Sequence, residues 1–296
     1  MKNMLVVGSL NMDMVITVER VPHLGETVSG DGFMMVPGGK GANQALTMAR
    51  LSGNVKMLGC VGKDHFGAEL TAFLKESGVD TSPIMQSHKN TGIALITVSG
   101  GDNMIVLEKG ANHALKPQNI CENEELFRWA DIVVLQLEIP WETVVAAAKT
   151  AKQNGCTVLL NPAPVENFKD EILPFVDIIV PNEHEGGIIL RKEIKTKEQA
   201  KALVAEFAEK GIHAVVTLGA DGCVYFDAGE CRHQPAAKAN VVDTTAAGDS
   251  FIGGMCVALC EGKPIDAAIE FATKVASIVV SRKGAGTSIP WRNEIN

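Results

Sequence analysis

Asp243-Thr244-Thr245-Ala246-Ala247-Gly248-Asp249-Ser250-Phe251 sets one carboxylate, a run of small residues and a second carboxylate ahead of a long apolar segment. The segment reads as a helix over Gly248–Glu261, so the small residues form the turn that opens it. Backbone N–H groups at such a helix start are unpaired and the helix dipole lies behind them, which suits an incoming phosphate. Thr244, Thr245, Ala246, Ala247 and Gly248 keep side chains out of the way. Asp249 falls in the first turn, where the dipole favours its ionised form. Such a carboxylate can take the proton of an attacking hydroxyl, or it can simply complement the helix end. The stretch by itself leaves both open.

A second glycine-rich helix start lies near the N-terminus: Gly38-Gly39-Lys40-Gly41-Ala42-Asn43-Gln44. It lacks the GxxxxGK[ST] spacing of a P-loop and the GxGxxG of a dinucleotide site. Met4–Gly8 is followed by Ser9-Leu10-Asn11 and offers only one glycine, so nicotinamide chemistry is disfavoured. Lys40 has three readings: a phosphate ligand, a sugar ligand or a cap on the loop. Taken together, the two helix starts imply a phosphate donor meeting a small polar acceptor.

Between them, short β-rich apolar runs alternate with amphipathic segments of helix length. Met4–Gly8, Val55–Cys60, Ile132–Leu135, Thr157–Leu160, Ile178–Val180 and Ala214–Leu218 read as buried strands. Ala42–Leu51, Gly67–Ser77, Trp141–Asn154, Lys197–Lys210, Gly248–Glu261 and Ile265–Val280 read as helices. This alternation predicts an α/β fold with a mostly parallel sheet covered on both faces, and ligands beyond the carboxyl ends of its strands. Met14–Val36 and Thr91–Glu108 break the pattern: strands and turns with no helix between them, and a hairpin tip at Gly100-Gly101-Asp102-Asn103. They are expected to form a small antiparallel sheet that leaves the body as a lid. The whole of residues 1–296 is expected to be one domain carrying lid segments at about 14–36 and 91–108.

The 296 residues are 46% hydrophobic and 21% charged, an ordinary globular balance, and the formal net charge of −8 argues against a broad nucleic-acid surface. No run approaches the ~20 apolar residues of a membrane span, and the N-terminal apolar run is too short for a signal-peptide core. Seven scattered cysteines without a CxxC suggest reduced thiols and a cytoplasmic setting. Cys256 and Cys260 read as core, and His184 and His213 as surface or structural residues. Met12, Met14, Met34 and Met35 read as lid packing and Trp141 as a packing anchor.

The pair GGKGANQA and DTTAAGDSF, with Asn11-Met12-Asp13 after the first strand and Asn182-Glu183-His184-Glu185 in mid-chain, resembles the ribokinase branch of the PfkB carbohydrate kinase family. Gly25-Glu26-Thr27, Asn161-Pro162-Ala163-Pro164 and Arg282-Lys283-Gly284 agree, so the likeness runs over essentially the whole chain. It implies a three-layer α/β/α kinase with a β lid. It further implies ATP-dependent phosphorylation of D-ribose at O5, with deoxyribose, fructose or a nucleoside as alternative acceptors. A non-catalytic sugar-binding regulator on the same fold is the rival of another class.

Carried over residue by residue, the resemblance implies Asn11, Asp13, Gly39, Lys40, Gly41, Ala42, Asn43 and Glu138 on the sugar side. Asn182 and Glu185 would hold the magnesium–phosphate unit, mostly through water, and Thr217-Leu218-Gly219-Ala220-Asp221-Gly222 would flank the nucleotide. Thr273 falls on the adenine side. Gly248 and Asp249 match the anion hole and the catalytic base. A potassium activator would be held at Asp243, Thr245, Val279, Arg282, Gly284 and Ser288, mostly by backbone carbonyls. The lids of relatives pair between two subunits, which implies a homodimer.

Overall fold

The structure is a computed structural model that describes residues 2–100 and 102–295. From the N-terminus it forms β1 (Asn3–Val7), β2 (Asn11–Val18), β3 (Gly30–Gly38), α1 (Lys40–Arg50), β4 (Asn54–Leu58), β5 (Cys60–Gly62) and α2 (His65–Glu76). Next come β6 (Met85–Ser87), β7 (Gly92–Ser99), β8 (Asp102–Glu108), α3 (Pro117–Glu122), α4 (Glu124–Trp129), β9 (Ile132–Leu135) and α5 (Trp141–Gln153). The chain continues with β10 (Thr157–Leu160), β11 (Ile178–Ile179), α6 (Glu183–Leu190), α7 (Lys197–Glu209) and β12 (His213–Thr217). It closes with β13 (Cys223–Asp227), β14 (Glu230–Gln234), α8 (Ala247–Cys260) and α9 (Ile265–Val279).

The large sheet has the order β14-β13-β12-β11-β10-β9-β1-β4. From β12 to β4 every pairing is parallel; β13 and β14 continue the edge antiparallel. Met4, Leu5, Val6 and Val7 are all fully buried, as expected of a strand covered on both faces. Alternate residues feed two cores. Met4, Val6 and Val134 pack with residues of α1, α2, α8 and α9 on one face. Leu5, Val7 and Val133 pack with residues of α5 and α7 on the other. The result is the expected three-layer α/β/α arrangement. Each expected strand and helix is present, most with ends shifted by one or a few residues.

The lid differs from expectation. Its order is β3-β2-β7-β8, and β2 pairs with β7 in parallel, so the sheet is mixed rather than antiparallel. The two hairpins are joined through their first strands, which run the same way out of the body. The lid also begins earlier than Met14. Asn11 and Asp13 are the first residues of β2 itself, paired with Gly38 and Val36 of β3. Gly101 of the expected hairpin tip lies outside the described residues; Ser99 and Asp102 pair beside it. Met12 is fully buried as expected, whereas Met34 and Met35 are exposed. No described helix is long and apolar enough to cross a membrane.

The helices that carry the two glycine-rich starts, α1 and α8, pack directly on each other. Gly253 of α8 sits against Thr47 of α1, where an added Cβ would approach the Thr47 Cβ to 2.6 Å. Gly253→Val therefore wedges the helices apart. It is expected to lower stability by about 1–3 kcal/mol, the usual range for overpacking, seen as a lower denaturant midpoint. A midpoint equal to that of the unaltered protein would contradict this contact.

Candidate active site

The two glycine-rich starts meet at a cleft of about 740 Å³ between the lid and the carboxyl ends of the central strands. Asn11, Asp13, Gly39, Lys40, Asn43, Glu138, Thr245 and Asp249 all line it. These residues come from four distant parts of the chain. Lid residues Ala94, Ile96, Ile105 and Leu107 form an apolar wall.

Gly39 shows why the first loop needs glycine. It caps α1 with φ +94°, a conformation that disfavours any side chain, and a Cβ there would lie 2.7 Å from the Asn11 backbone nitrogen. Glu138 gathers the loop. It accepts from the Ser9 hydroxyl at 2.5 Å, from the Lys40 backbone at 3.2 Å and from the Asn11 side chain at 3.5 Å. Asn11 is also held by Asn112, whose amide donates to its side-chain oxygen at 2.7 Å. Asn112 and Ser9 are buried supports that the sequence reading did not single out. Nothing in their local pattern marks them, because their partners lie far along the chain.

Asp13 is buried against the cleft. Burial, with Glu138 and Asp249 nearby, pushes its carboxyl up to about 7, and Lys40 only partly opposes this. Lys40 is half-buried. Burial alone would lower its pKa, but Asp249, Glu138, Glu185 and Asp13 more than offset that and hold the ammonium above its ordinary value. One lysine thus sits in the field of four carboxylates.

Asp249 lies on the first turn of α8 and is buried. Asn43 donates to one carboxylate oxygen at 3.1 Å and Gln44 to the other at 2.9 Å. The expectation that its place in the first turn favours the ionised form of Asp249 meets an opposing effect. Burial raises its pKa, and Lys40, Gln44 and Asn43 work against that rise. Gly248 is exposed beside it, with nothing within 4 Å of where a Cβ would stand. The first intrahelical bond into the turn before α8 is Ser250 to Ala246 at 2.8 Å, which leaves the Gly248 and Asp249 N–H groups without a helical acceptor.

Asp243 joins this turn to the C-terminal segment. It accepts from the Thr245 backbone at 2.9 Å, the Thr245 hydroxyl at 2.6 Å and the Gly284 backbone at 2.9 Å. Burial would raise its pKa, but these bonds outweigh it and hold the carboxyl below its ordinary value. The 282–288 segment therefore does fold back against the turn. Arg282 pairs with Glu294, the Val279 carbonyl accepts from the Arg282 backbone, and the Ser288 hydroxyl donates to Ala285.

Other candidate residues fall outside this cleft. Gly41 and Ala42 are buried, and their N–H groups donate to Ser9. Asn182 and Glu185 cap α6 reciprocally at 2.8 and 2.9 Å. Glu185 still faces the site electrostatically: burial raises its pKa while Lys40 lowers it. Thr217 bridges to Asn182, and Leu218, Gly219, Ala220, Asp221 and Gly222 form the tight turn that follows β12. Thr273 is buried, and its hydroxyl donates within its own helix to Ile269 at 2.8 Å.

Comparison with known proteins agrees with this geometry. The profile of the pfkB family carbohydrate kinases matches residues 1–292. A ribokinase of Haemophilus influenzae is 40% identical over 296 residues, covering 99% of this chain and 97% of the relative. A ribokinase of Schizosaccharomyces pombe is 40% identical over 309 residues, covering 100% and 97%. The structure of an Arabidopsis thaliana ribokinase complexed with ribose and ATP superimposes with a TM-score of 0.92 at 34% identity, covering 99% of this chain and 97% of that one. With both motifs, the three-layer body and the lid in place over its whole length, the chain belongs to the pfkB family of carbohydrate kinases.

Proposed function

We propose that this protein transfers the γ-phosphoryl group of ATP to O5 of D-ribose, giving ribose 5-phosphate and ADP. The observation that carries the reading is the meeting of Asp13, Asn11 and Asp249 in one cleft with the N-terminus of α8. Full-length similarity to ribokinases, one of them solved with ribose and ATP, supports the choice of acceptor.

In this reading Asp13 and Asn11 accept and donate hydrogen bonds to the ribose hydroxyls, with Glu138 fixing the loop beneath them. Asp249 takes the proton of the primary hydroxyl as O5 bonds to phosphorus. The bond from phosphorus to the β–γ bridging oxygen breaks, and ADP carries away the electron pair. The free N–H groups of Gly248 and Asp249 receive the charge on the transferring group; one such donor is typically worth ~100- to 1000-fold in rate. Lys40 favours the ionised forms of Asp13, Glu185 and Asp249 and so partly opposes the rise that burial imposes on them. The lid excludes water, which would otherwise compete as acceptor.

Glu185 and Asn182 supply oxygen donors facing the same field, a set suited to a water-bound magnesium ion. Held there, a magnesium ion would supply positive charge against the nucleotide phosphates. Asp243, with the carbonyl-rich 279–288 segment folded against it, offers an oxygen-only set for potassium. A bound potassium ion would stiffen the turn before α8. The outer lid exposes Phe33, Met34, Met35, Leu95 and Met104, an apolar strip that a second copy of this chain covers in a homodimer.

A coupled ADP-release assay over ribose, 2-deoxyribose, fructose and nucleosides tests the reading. Ribose is expected to give the highest kcat/KM; a higher value for another acceptor would reassign the substrate. Asp249→Asn is expected to lower turnover by several orders of magnitude while ribose and ATP still bind. Near-normal turnover would reduce Asp249 to a helix-end charge.

The pKa of Asp13 also sets a pH dependence. In the unfolded chain this carboxyl titrates near its ordinary value of 3.8, and in the unliganded protein it is pushed up to about 7. Between these values the folded state binds more protons, so the contribution of Asp13 to stability falls as pH rises through that window and levels off above it. Asp13→Asn should therefore gain on the unaltered protein as pH rises from about 4 to about 7. A stability difference that stays flat over this range in denaturant titrations would contradict the burial of Asp13.

The potassium site has its own test. At matched ionic strength, potassium is expected to raise kcat or kcat/KM more than sodium does, and Asp243→Ala to abolish the response. Equal rates with and without potassium would refute the site.

A further inference from the structure

Behind Asp249 lies a chain of buried amides that the reaction scheme does not use. Gln44 of α1 donates its Nε2 to Asp249 at 2.9 Å and to the Asn161 side-chain oxygen at 3.3 Å. The Gln44 carbonyl oxygen accepts from Nε2 of Gln136 at 2.6 Å. Asn161 spends its own amide group on the Val180 carbonyl at 3.0 Å. Gln44 and Gln136 are fully buried. The amides come from α1 and from the residues just after β9 and β10, so the chain ties Asp249 to the carboxyl edge of the central sheet.

The donor and acceptor roles along this chain are mutually enforced. An ionised carboxylate only accepts, so Gln44 must turn its amide group towards Asp249. Its carbonyl must then face Gln136, which has to present an amide group in return. Asn161 imposes the same sense from the side, because its amide is committed to Val180 and only its oxygen faces Gln44. The chain ends on the Gln136 carbonyl oxygen, which is buried with no partner. A buried amide left half-satisfied is a cost that an apolar side chain would avoid, so packing alone does not account for it. Gly8 makes room for it: a Cβ there would overlap that oxygen.

We propose that Gln44, locked in one amide orientation by Gln136 and Asn161, is the positioning residue that fixes the direction of the Asp249 carboxylate. Asn43 lines the cleft and holds the other oxygen, so the carboxylate cannot rotate without breaking a buried bond. The charged groups facing Asp249 are Lys40, Glu138, Asp13 and Glu185. Only Lys40 among them favours its ionised form, and the two amides supply the remainder of the support. The proposal rests on the reading of Asp249 as the base.

Gln44→Met and Gln136→Met keep side-chain length and remove the amides. In ribose-dependent ADP release, Gln44→Met is expected to lower kcat roughly 10- to 100-fold, the usual worth of a hydrogen bond to a charged group. Ribose KM and the calorimetric ribose affinity should change little, and the acid limb of kcat/KM should move to higher pH. Gln136→Met should lower kcat less, and should add nothing in the Gln44→Met background, because both act through one bond. An unchanged kcat in either single variant, additive losses, or a loss shared equally with ribose affinity would overturn the proposal. Should Gln44→Met fail to fold, Gln136→Met alone decides, through its kcat and its pH profile. Asp249→Asn separates the two readings. If it retains turnover, the base assignment falls; if it abolishes turnover while Gln44→Met retains it, only the positioning role falls.

Discussion

The two-sided grip on the Asp249 carboxylate, by Asn43 and Gln44, is the interaction on which the rest of this site depends. The two donors sit on the first turns of α1, and the carboxylate sits on the first turn of α8. The bonds therefore hold two helix starts face to face across a single charged group. Everything else can be seen as arranging that meeting. The Thr47–Gly253 contact lets the helices approach closely. Gly39 turns the chain sharply from β3 into α1. Asp243 pins the turn before α8 to the C-terminal segment. A buried carboxylate with these partners is costly to place, a cost consistent with the proton-acceptor role proposed for it.

Charge at the site is not balanced by side chains alone. Four carboxylates, at Asp13, Glu138, Glu185 and Asp249, surround Lys40, and the chain as a whole carries a formal net charge of −8. An excess of negative charge beside a nucleotide triphosphate works against binding unless cations share the site. In the proposed reading the free N–H groups at α8 would meet part of that need, and magnesium held near Glu185 and Asn182 would meet the rest.

The body of the fold was legible because buried parallel strands leave continuous apolar runs. Ile132–Leu135 and Thr157–Leu160 have the same ends in the sequence reading and in the structure. The glycine-rich starts were legible because helix N-termini have local rules. Short elements escaped. α3 and α4 carry too few turns to show a period, and the β13–β14 edge lacks a strong alternating pattern. The β2–β7 pairing is non-local: both hairpins looked self-contained, and nothing in either marks a parallel junction. Asp13 and Asp249 stood out in sequence through their motifs. Ser9, Asn112 and Gln136 did not, because a supporting polar residue acquires its meaning only from partners about a hundred residues away in the chain, such as Leu10 and Asn11 for Asn112. Gln44 and Asn161 lay inside quoted motifs, yet their roles depend on which way each amide faces.

The most direct test of the central claim is a crystal structure of Asp249→Asn with ribose and a non-hydrolysable ATP analogue bound. The account predicts ribose O5 within about 3.2 Å of the residue 249 side chain. It also predicts the terminal phosphate in line with O5 against the first N–H groups of α8, and the ring hydroxyls on Asp13 and Asn11. Ribose bound with O5 turned away from residue 249, or a terminal phosphate seated away from α8, would contradict it.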